Sequence, residues 1–186
     1  MDTIILTGKK ELDIYINPQR QNILRQMQIH GAPMTAKQIS VQIGISASSV
    51  QHHIRLLIEL GIVGLSHTER IHGITASYYR VLPKTVRIGS LTVDEYSNQR
   101  IALVQANLTR TFSGFLEYCS GTEEGMVGEK QFGDMLSGII HLRADEAKEL
   151  YALIASFLRA HETPHEHTSA WEYALIAYPV SEKPHA

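Results

Sequence analysis

The chain has 186 residues, 44% of them apolar, a single cysteine and a formal net charge of −2. That apolar content suffices for one or two small domains, and no apolar run is long enough to cross a bilayer. The lone Cys119 excludes an intrachain disulfide; with no basic-then-apolar leader at the start, the composition predicts a cytoplasmic protein with no membrane partner. Divided at residue 89, the first part carries 10 Lys/Arg against 5 Asp/Glu and the second 7 against 14. A basic segment lowers the cost of approaching phosphates and an acidic one raises it, so two domains are expected, 1–89 facing nucleic acid and 90–186 facing away.

In chain order, Leu12-Asp13-Ile14-Tyr15-Ile16 alternates like a short strand. Asn17-Pro18 supplies a cap followed by proline at the first helical position, and the helix beyond carries Ile23, Leu24 and Met27 on one face until Gly31. Residues 34–61 then read as two short helices around a tight turn at Gly44. Thr35 and Gln38 form a capping box, with Met34 and Ile39 placed as its hydrophobic staple. Ser46 caps the second helix, and Ile45 with Val50 repeats the staple. Gly44 stops the first helix in a left-handed conformation. Two capped starts with one glycine stop between them specify a helix-turn-helix, whose second helix suits a DNA major groove.

Ile62 to Ser66 and Thr75 to Leu82 read as strands, with His67–Gly73 as the turn between them. A hairpin directly after a recognition helix is a wing, so 12–89 reads as a winged helix. Thr92-Val93-Asp94-Glu95 is a second capping box and opens the longest helix, predicted over 93–119. Ile101, Val104, Leu108, Phe112, Phe115 and Cys119 step by three and four along it, one apolar stripe suited to pairing with a second subunit. After a glycine-rich loop at 120–133, Leu136–Leu142 is expected as a strand, Asp145–Ala160 as a helix and Trp171–Tyr178 as a final, covered strand. The fold class is therefore α+β and mainly helical: a winged helix-turn-helix, a long dimerisation helix and a strand–helix–strand C-terminal domain.

Asn17-Pro18-Gln19-Arg20-Gln21-Asn22-Ile23-Leu24 resembles the D-P-x-R-x-x-I-L opening of ArsR-type winged-helix regulators. Ser48-Ser49-Val50-Gln51-His52-His53-Ile54-Arg55-Leu56-Leu57, followed by Leu60-Gly61-Ile62-Val63, is similar to their recognition-helix signature S-x-V-S-x-H-L-x-x-L…G-L-V. The resemblance covers about 12–82 and implies a homodimeric repressor that leaves its operator when an effector binds. Metal-sensing members carry a cysteine pair in or near the helix-turn-helix. Ser40-Val41-Gln42-Ile43 holds none, so a thiolate metal site of the family type is not expected.

On the second helix Val50, Ile54, Leu57 and Ile58 form the stripe to be buried, while Ser48, Ser49, Gln51, His52 and Arg55 project elsewhere. Glutamine pairs with adenine, arginine with guanine, and serine with either base edges or phosphate. A plain solvated helix face is the alternative reading. His53 matches the family histidine but suits helix packing better than base contact. Lys37 and Arg20 are placed to touch phosphate, as are Arg70 and His72 at the wing tip, which also suit a minor groove.

The histidines His161, His165 and His167, with Glu162 and Glu166, invite a metal reading, but Pro164 breaks any helical H-E-x-x-H spacing and a polar loop is the simpler account. No metal or cofactor is expected. Phe112, Phe115, Tyr118, Phe132, Tyr151, Phe157, Trp171, Tyr173 and Tyr178 are placed to form core and dimer interface, or to line a pocket for a small-molecule effector. No nucleophile elbow, P-loop or dinucleotide fingerprint is present, so no enzyme is expected. The preferred reading is a regulator of transcription that binds double-stranded DNA as a homodimer on a near-palindromic operator; the alternative is a winged-helix protein-interaction module with no DNA target.

Overall fold

The computed structural model describes residues 3–6, 8–71, 73–88, 93–120 and 134–180. Eleven elements are present among them: β1 Thr3–Ile5, α1 Lys9–Ile16, α2 Pro18–His30, β2 Met34–Thr35, α3 Ala36–Ile43, α4 Ala47–Glu59, β3 Val63–Ile71, β4 Ile74–Val81, β5 Thr85–Arg87, α5 Ser97–Ser120 and α6 Ala144–Ala160. They fall into two compact units, one of residues up to 101 with 140–170, the other of 102–139 with the chain from 171 onward.

The helix boundaries follow from local chemistry. Asn17 Oδ1 accepts from the backbone of Gln19 and Arg20, and Pro18 occupies the first turn, where its missing N–H costs nothing. Thr35 and Gln38 make the reciprocal box: Gln38 N–H donates to Thr35 Oγ1 at 3.2 Å, and Thr35 N–H donates to Gln38 Oε1 at 2.8 Å. Ser46 Oγ accepts from Ser49 N–H at 3.1 Å and opens α4. Gly44 sits at φ 72°, and its N–H returns to the Ser40 carbonyl, closing α3 within one residue of the start of the next cap.

The core of the first unit is the meeting of these helices with the sheet. Ile23, Leu24 and Met27 from α2, Met34 from β2, Ile39 from α3, Val50, Ile54 and Leu57 from α4, and Ile62 and Val63 at the entry to β3 form one buried cluster. The sheet runs β2-β4-β3 and is antiparallel throughout, with Met34 opposite Tyr79 and Val63 opposite Val81. Its first strand, two residues just before α3, ties the helix-turn-helix to the wing and was absent from the sequence reading. A parallel pair joins β1 to β5 separately.

Four expectations are corrected. Leu12–Ile16 is helical, because Glu11 accepts the Gly8 N–H at 3.2 Å and starts a helix that buries Leu12 and Ile14, while Asp13 stays exposed. The first wing strand is longer than expected, Val63–Ile71 in place of Ile62–Ser66, and takes His67 and Arg70 out of the expected turn; the second, Ile74–Val81, is shifted by one residue from Thr75–Leu82. The longest helix starts at Ser97, not 93. Asp94 accepts from Tyr96 N–H and from both terminal nitrogens of Arg100 at 2.6 and 2.9 Å in the turn before it; Thr92 lies outside the described residues.

The fourth correction concerns the C-terminal domain. The helix at Ala144–Ala160 is present, but Leu136–Leu142 and Trp171–Tyr178 form no strand and run straight with their side chains exposed. A strand needs a second main chain to bond to, and no strand pairs with either stretch among the described residues. The aromatics expected as core are likewise largely exposed, among them Phe112, Tyr151, Phe157, Trp171, Tyr173 and Tyr178; Phe132 lies outside the described residues. In the first unit, the loop after α6 does touch the helix-turn-helix domain. Pro164 lies so close to Gly31, at φ 70°, that an added Cβ would stand 2.4 Å from Pro164 Cγ.

Ile54 is fully buried at the centre of the cluster, so Ile54→Ala should lower the unfolding free energy by about 2–5 kcal/mol. Urea denaturation followed by far-UV circular dichroism measures this. The exposed Ser48→Ala should change it by no more than about 0.5 kcal/mol.

Candidate nucleic-acid interface

Helix α4 is two-sided. Val50, Ile54 and Leu57 are buried, while Ser48, Gln51, His52 and Arg55 are exposed and Ser49 is half-buried. The buried residues recur at four and three, so the exposed ones fall on the remaining arc by helical geometry alone. Ile58, expected in the stripe, is exposed at its edge. Ser48 Oγ lies 3.0 Å from Ser46 Oγ, and Arg55 Nε donates to the Gln51 carbonyl at 3.4 Å. That long bond leans the guanidinium back along the helix and leaves its terminal nitrogens outward.

Lys37 projects from the first turn of α3 and is exposed. A cleft of about 420 Å³ brings it together with Gln51: its walls are Thr35 to Gln38, Gln51, Ile71 and Thr75 to Tyr79. The first turn of α3, the exposed side of α4 and strand β4 thus share one concave surface. Thr75, Ser77 and Tyr78 were not singled out from the sequence. Their small or hydroxylated side chains on a strand beside the recognition helix were the available signal. Arg70 is exposed on β3, opposite Thr75 and two residues from the wing turn. His72 lies outside the described residues.

The wing has its own bracing. The His67 ring stacks on Tyr78 with centroids 4.5 Å apart, just past a register shift between Leu65 and His67. Tyr78 titrates above the usual phenol range, through burial first and then through the charge of Glu69 and a hydrogen bond to it. The one acidic side chain of β3 is therefore engaged by the wing itself.

Arg20 does not face phosphate, contrary to the sequence reading. It is buried, its Nε donating to the Ile14 carbonyl and Nη2 to the Asp13 carbonyl at 2.9 Å, which ties α2 to the end of α1. Its Nη1 faces His53 Nδ1 at 3.3 Å, reaching α4. Because a guanidinium only donates, Nδ1 accepts and the ring is neutral with its proton on Nε2. His53 accordingly titrates below the ordinary histidine range, burial being the largest cause and the charges of Arg20 and His52 the next.

The three candidate metal histidines are not gathered. His161 stacks on Phe157 and its Nδ1 donates to the Phe157 carbonyl at 2.8 Å; His165 uses its backbone N–H on Thr168 Oγ1; His167 sits in the left-handed region at φ 64°. Among the described residues no three His, Cys, Asp or Glu side chains converge on one point. No helix among them is long and apolar enough to cross a membrane.

A capped helix pair, a recognition helix with an open polar side and a hairpin beside it define the winged helix-turn-helix class of DNA-binding proteins. Residues 17–64 match the family model described as bacterial regulatory protein, arsR family, and this match supports a DNA-binding transcription regulator. No curated protein matches the chain. Among solved structures, the crystal structure of adhesin competence repressor (AdcR) from Streptococcus pyogenes is similar at 11% identity and a TM-score of 0.33, covering 81% of this chain and 83% of that one.

The neutral His53 gives a pH dependence of defined sign. In the folded state its pKa lies below the ordinary histidine value of 6.5, so below that pH the unfolded chain takes up a proton that the folded chain resists. Stability from this site is intact above about pH 7 and is lost as pH falls through the range beneath. The melting temperature should therefore drop more between about pH 7.5 and 5.5 in the natural chain than in His53→Gln, whose carbonyl can still accept from Arg20. Equal drops in the two proteins would contradict the assignment.

Proposed function

We propose that the chain is a homodimeric repressor that reads a near-palindromic operator through α4. One observation carries the reading: Ser48, Gln51, His52 and Arg55 stand open on the side of α4 opposite its buried stripe, beside a cleft that also holds Lys37. In this reading Gln51 and Arg55 contact base edges, and Ser48, Ser49 and His52 contact base edges or the flanking backbone. Lys37 meets a phosphate at the positive end of α3, and Arg70 with His72 meets the backbone or the minor groove beyond.

The division at residue 89 gives the operator-binding part its basic balance. Helix α5, about 36 Å long, supplies the dimer contact in this proposal. Ile101 and Phe112 are exposed on it, and Val104, Leu108 and Phe115 half-buried. A two-fold axis there would set two recognition helices about 34 Å apart, one turn of duplex. A small-molecule effector would act through the C-terminal part, where apolar and aromatic side chains are open to solvent.

The test is a titration with duplex DNA from upstream of the chain's own gene at two salt concentrations. Saturable binding that weakens with salt is expected; no preference over unrelated DNA would overturn the proposal. Lys37→Ala and Arg70→Ala should each weaken binding to all sequences and reduce the salt slope by about 1. Gln51→Ala and Arg55→Ala should each cost about 1–3 kcal/mol on the preferred site and relax its sequence requirement. Identical behaviour of the two pairs would show that α4 does not lie in the groove.

A further inference from the structure

We infer that Glu69 is a specificity-determining residue of the DNA interface: held at the margin of the cleft by Tyr78, its carboxylate repels any phosphate brought there and so penalises a misplaced duplex. The inference rests on the proposed function and adds a repulsive element to it. Between Asp13 and Asp94 the only acidic residues are Glu59 and Glu69. Glu59 sits in the last turn of α4 and is paired with Lys10. Elsewhere the helix-turn-helix and the wing carry no acidic side chain, a composition that favours phosphates. Glu69 is the exception.

The register of the hairpin brings this exception to the cleft. Glu69 lies opposite Ala76, as His67 lies opposite Tyr78. Alternation therefore places Glu69, Ile71, Ala76 and Tyr78 on one face of the hairpin. Ile71, Ala76 and Tyr78 are walls of the cleft that also holds Lys37 and Gln51. An exposed glutamate ordinarily swings aside at little cost, and a charge that swings aside discriminates poorly. Glu69 is exposed but tethered, because the Tyr78 hydroxyl donates to its carboxylate. The Tyr78 ring is itself fixed: His67 stacks on it with centroids 4.5 Å and planes 9° apart, and its main chain pairs with Thr35 at the entry to α3. The negative charge is thus held in place beside the first turn of α3, where Lys37 supplies a positive one. A duplex seated with α4 in its groove keeps its backbone on Lys37 and off Glu69. A duplex docked in another register meets the carboxylate. Repulsion of this kind raises specificity without adding a contact to the right partner.

The test compares the natural full-length chain, Glu69→Gln, Tyr78→Phe and the double variant on two duplexes of equal length, one from upstream of the chain's own gene and one unrelated. At low salt Glu69→Gln should tighten binding to the unrelated duplex about fivefold and to the upstream duplex less than about twofold, so the ratio of affinities falls. Tyr78→Phe should lower the ratio in the same direction, because the untethered carboxylate swings away, and should add nothing once Glu69 is replaced. Circular dichroism and melting of Glu69→Gln should match the natural chain, since the side chain is exposed. Equal tightening on both duplexes, or none on either, overturns the inference while leaving DNA recognition by α4 standing. Weaker binding of Glu69→Gln to the upstream duplex would make Glu69 an attractive contact and overturns it too. A further change when Tyr78→Phe is added to Glu69→Gln overturns the tethering role of Tyr78. A natural chain with no preference between the two duplexes overturns the proposed function and this inference with it.

Discussion

A helix that commits one side to a core must present the other side to something else, and α4 commits its side completely. Val50, Ile54 and Leu57 are sealed beneath α2, α3 and the entry to β3, at a cost of several kcal/mol to withdraw any of them. The helix can therefore neither roll nor slide without opening the core. Gln51 and Arg55 are held outward by packing that never touches them. The base contacts proposed for these residues would need this rigidity, because a bidentate contact to a base tolerates little angular error.

The clamps around α4 extend the same logic to its ends. Ser46 fixes where it starts, Lys10 from α1 holds Glu59 in its last turn by an ion pair, and Arg20 reaches from α2 to His53 midway along. The exposed Lys10–Glu59 pair contributes little energy by itself. Arg20 matters more: a buried guanidinium must have acceptors, and two carbonyls at the end of α1 together with a neutral imidazole supply them. Removing one of these acceptors leaves one guanidinium N–H without a partner.

What could be read from the residues in advance was whatever local chemistry decides. Thr35, Ser46, Asn17, Gly31 and Gly44 each act on atoms within four positions of themselves, so their consequences were visible in one dimension. The buried stripe of α4 followed from period alone. Leu12–Ile16 misled because five residues of alternation fit either period, and the deciding atom, the Glu11 carboxylate on Gly8, lay just upstream. Arg20 misled for a different reason. Its burial depends on where α1 ends and α4 passes, which no spacing encodes. The wall of the cleft formed by Thr75 to Tyr78 was hidden in the same way, since it exists only once β4 pairs with β2. The strand pattern at 136–142 is a third kind of case: alternation describes what a segment can pair with, and says nothing of where the partner comes from.

The small parallel pair of β1 with β5 has a mechanical consequence. Thr3–Ile5 lies alongside Thr85–Arg87, and Leu6 N–H adds a bond to the Arg87 carbonyl at 2.9 Å. This ladder stands between the wing and the chain that leads toward α5. A tug arriving from that direction would load those few bonds in shear, all at once, before any strain reached the turn at Gly44. The strap would isolate the helix-turn-helix from jostling further along the polypeptide, and a deletion of the first six residues would remove that isolation while leaving the exposed side chains of α4 in place.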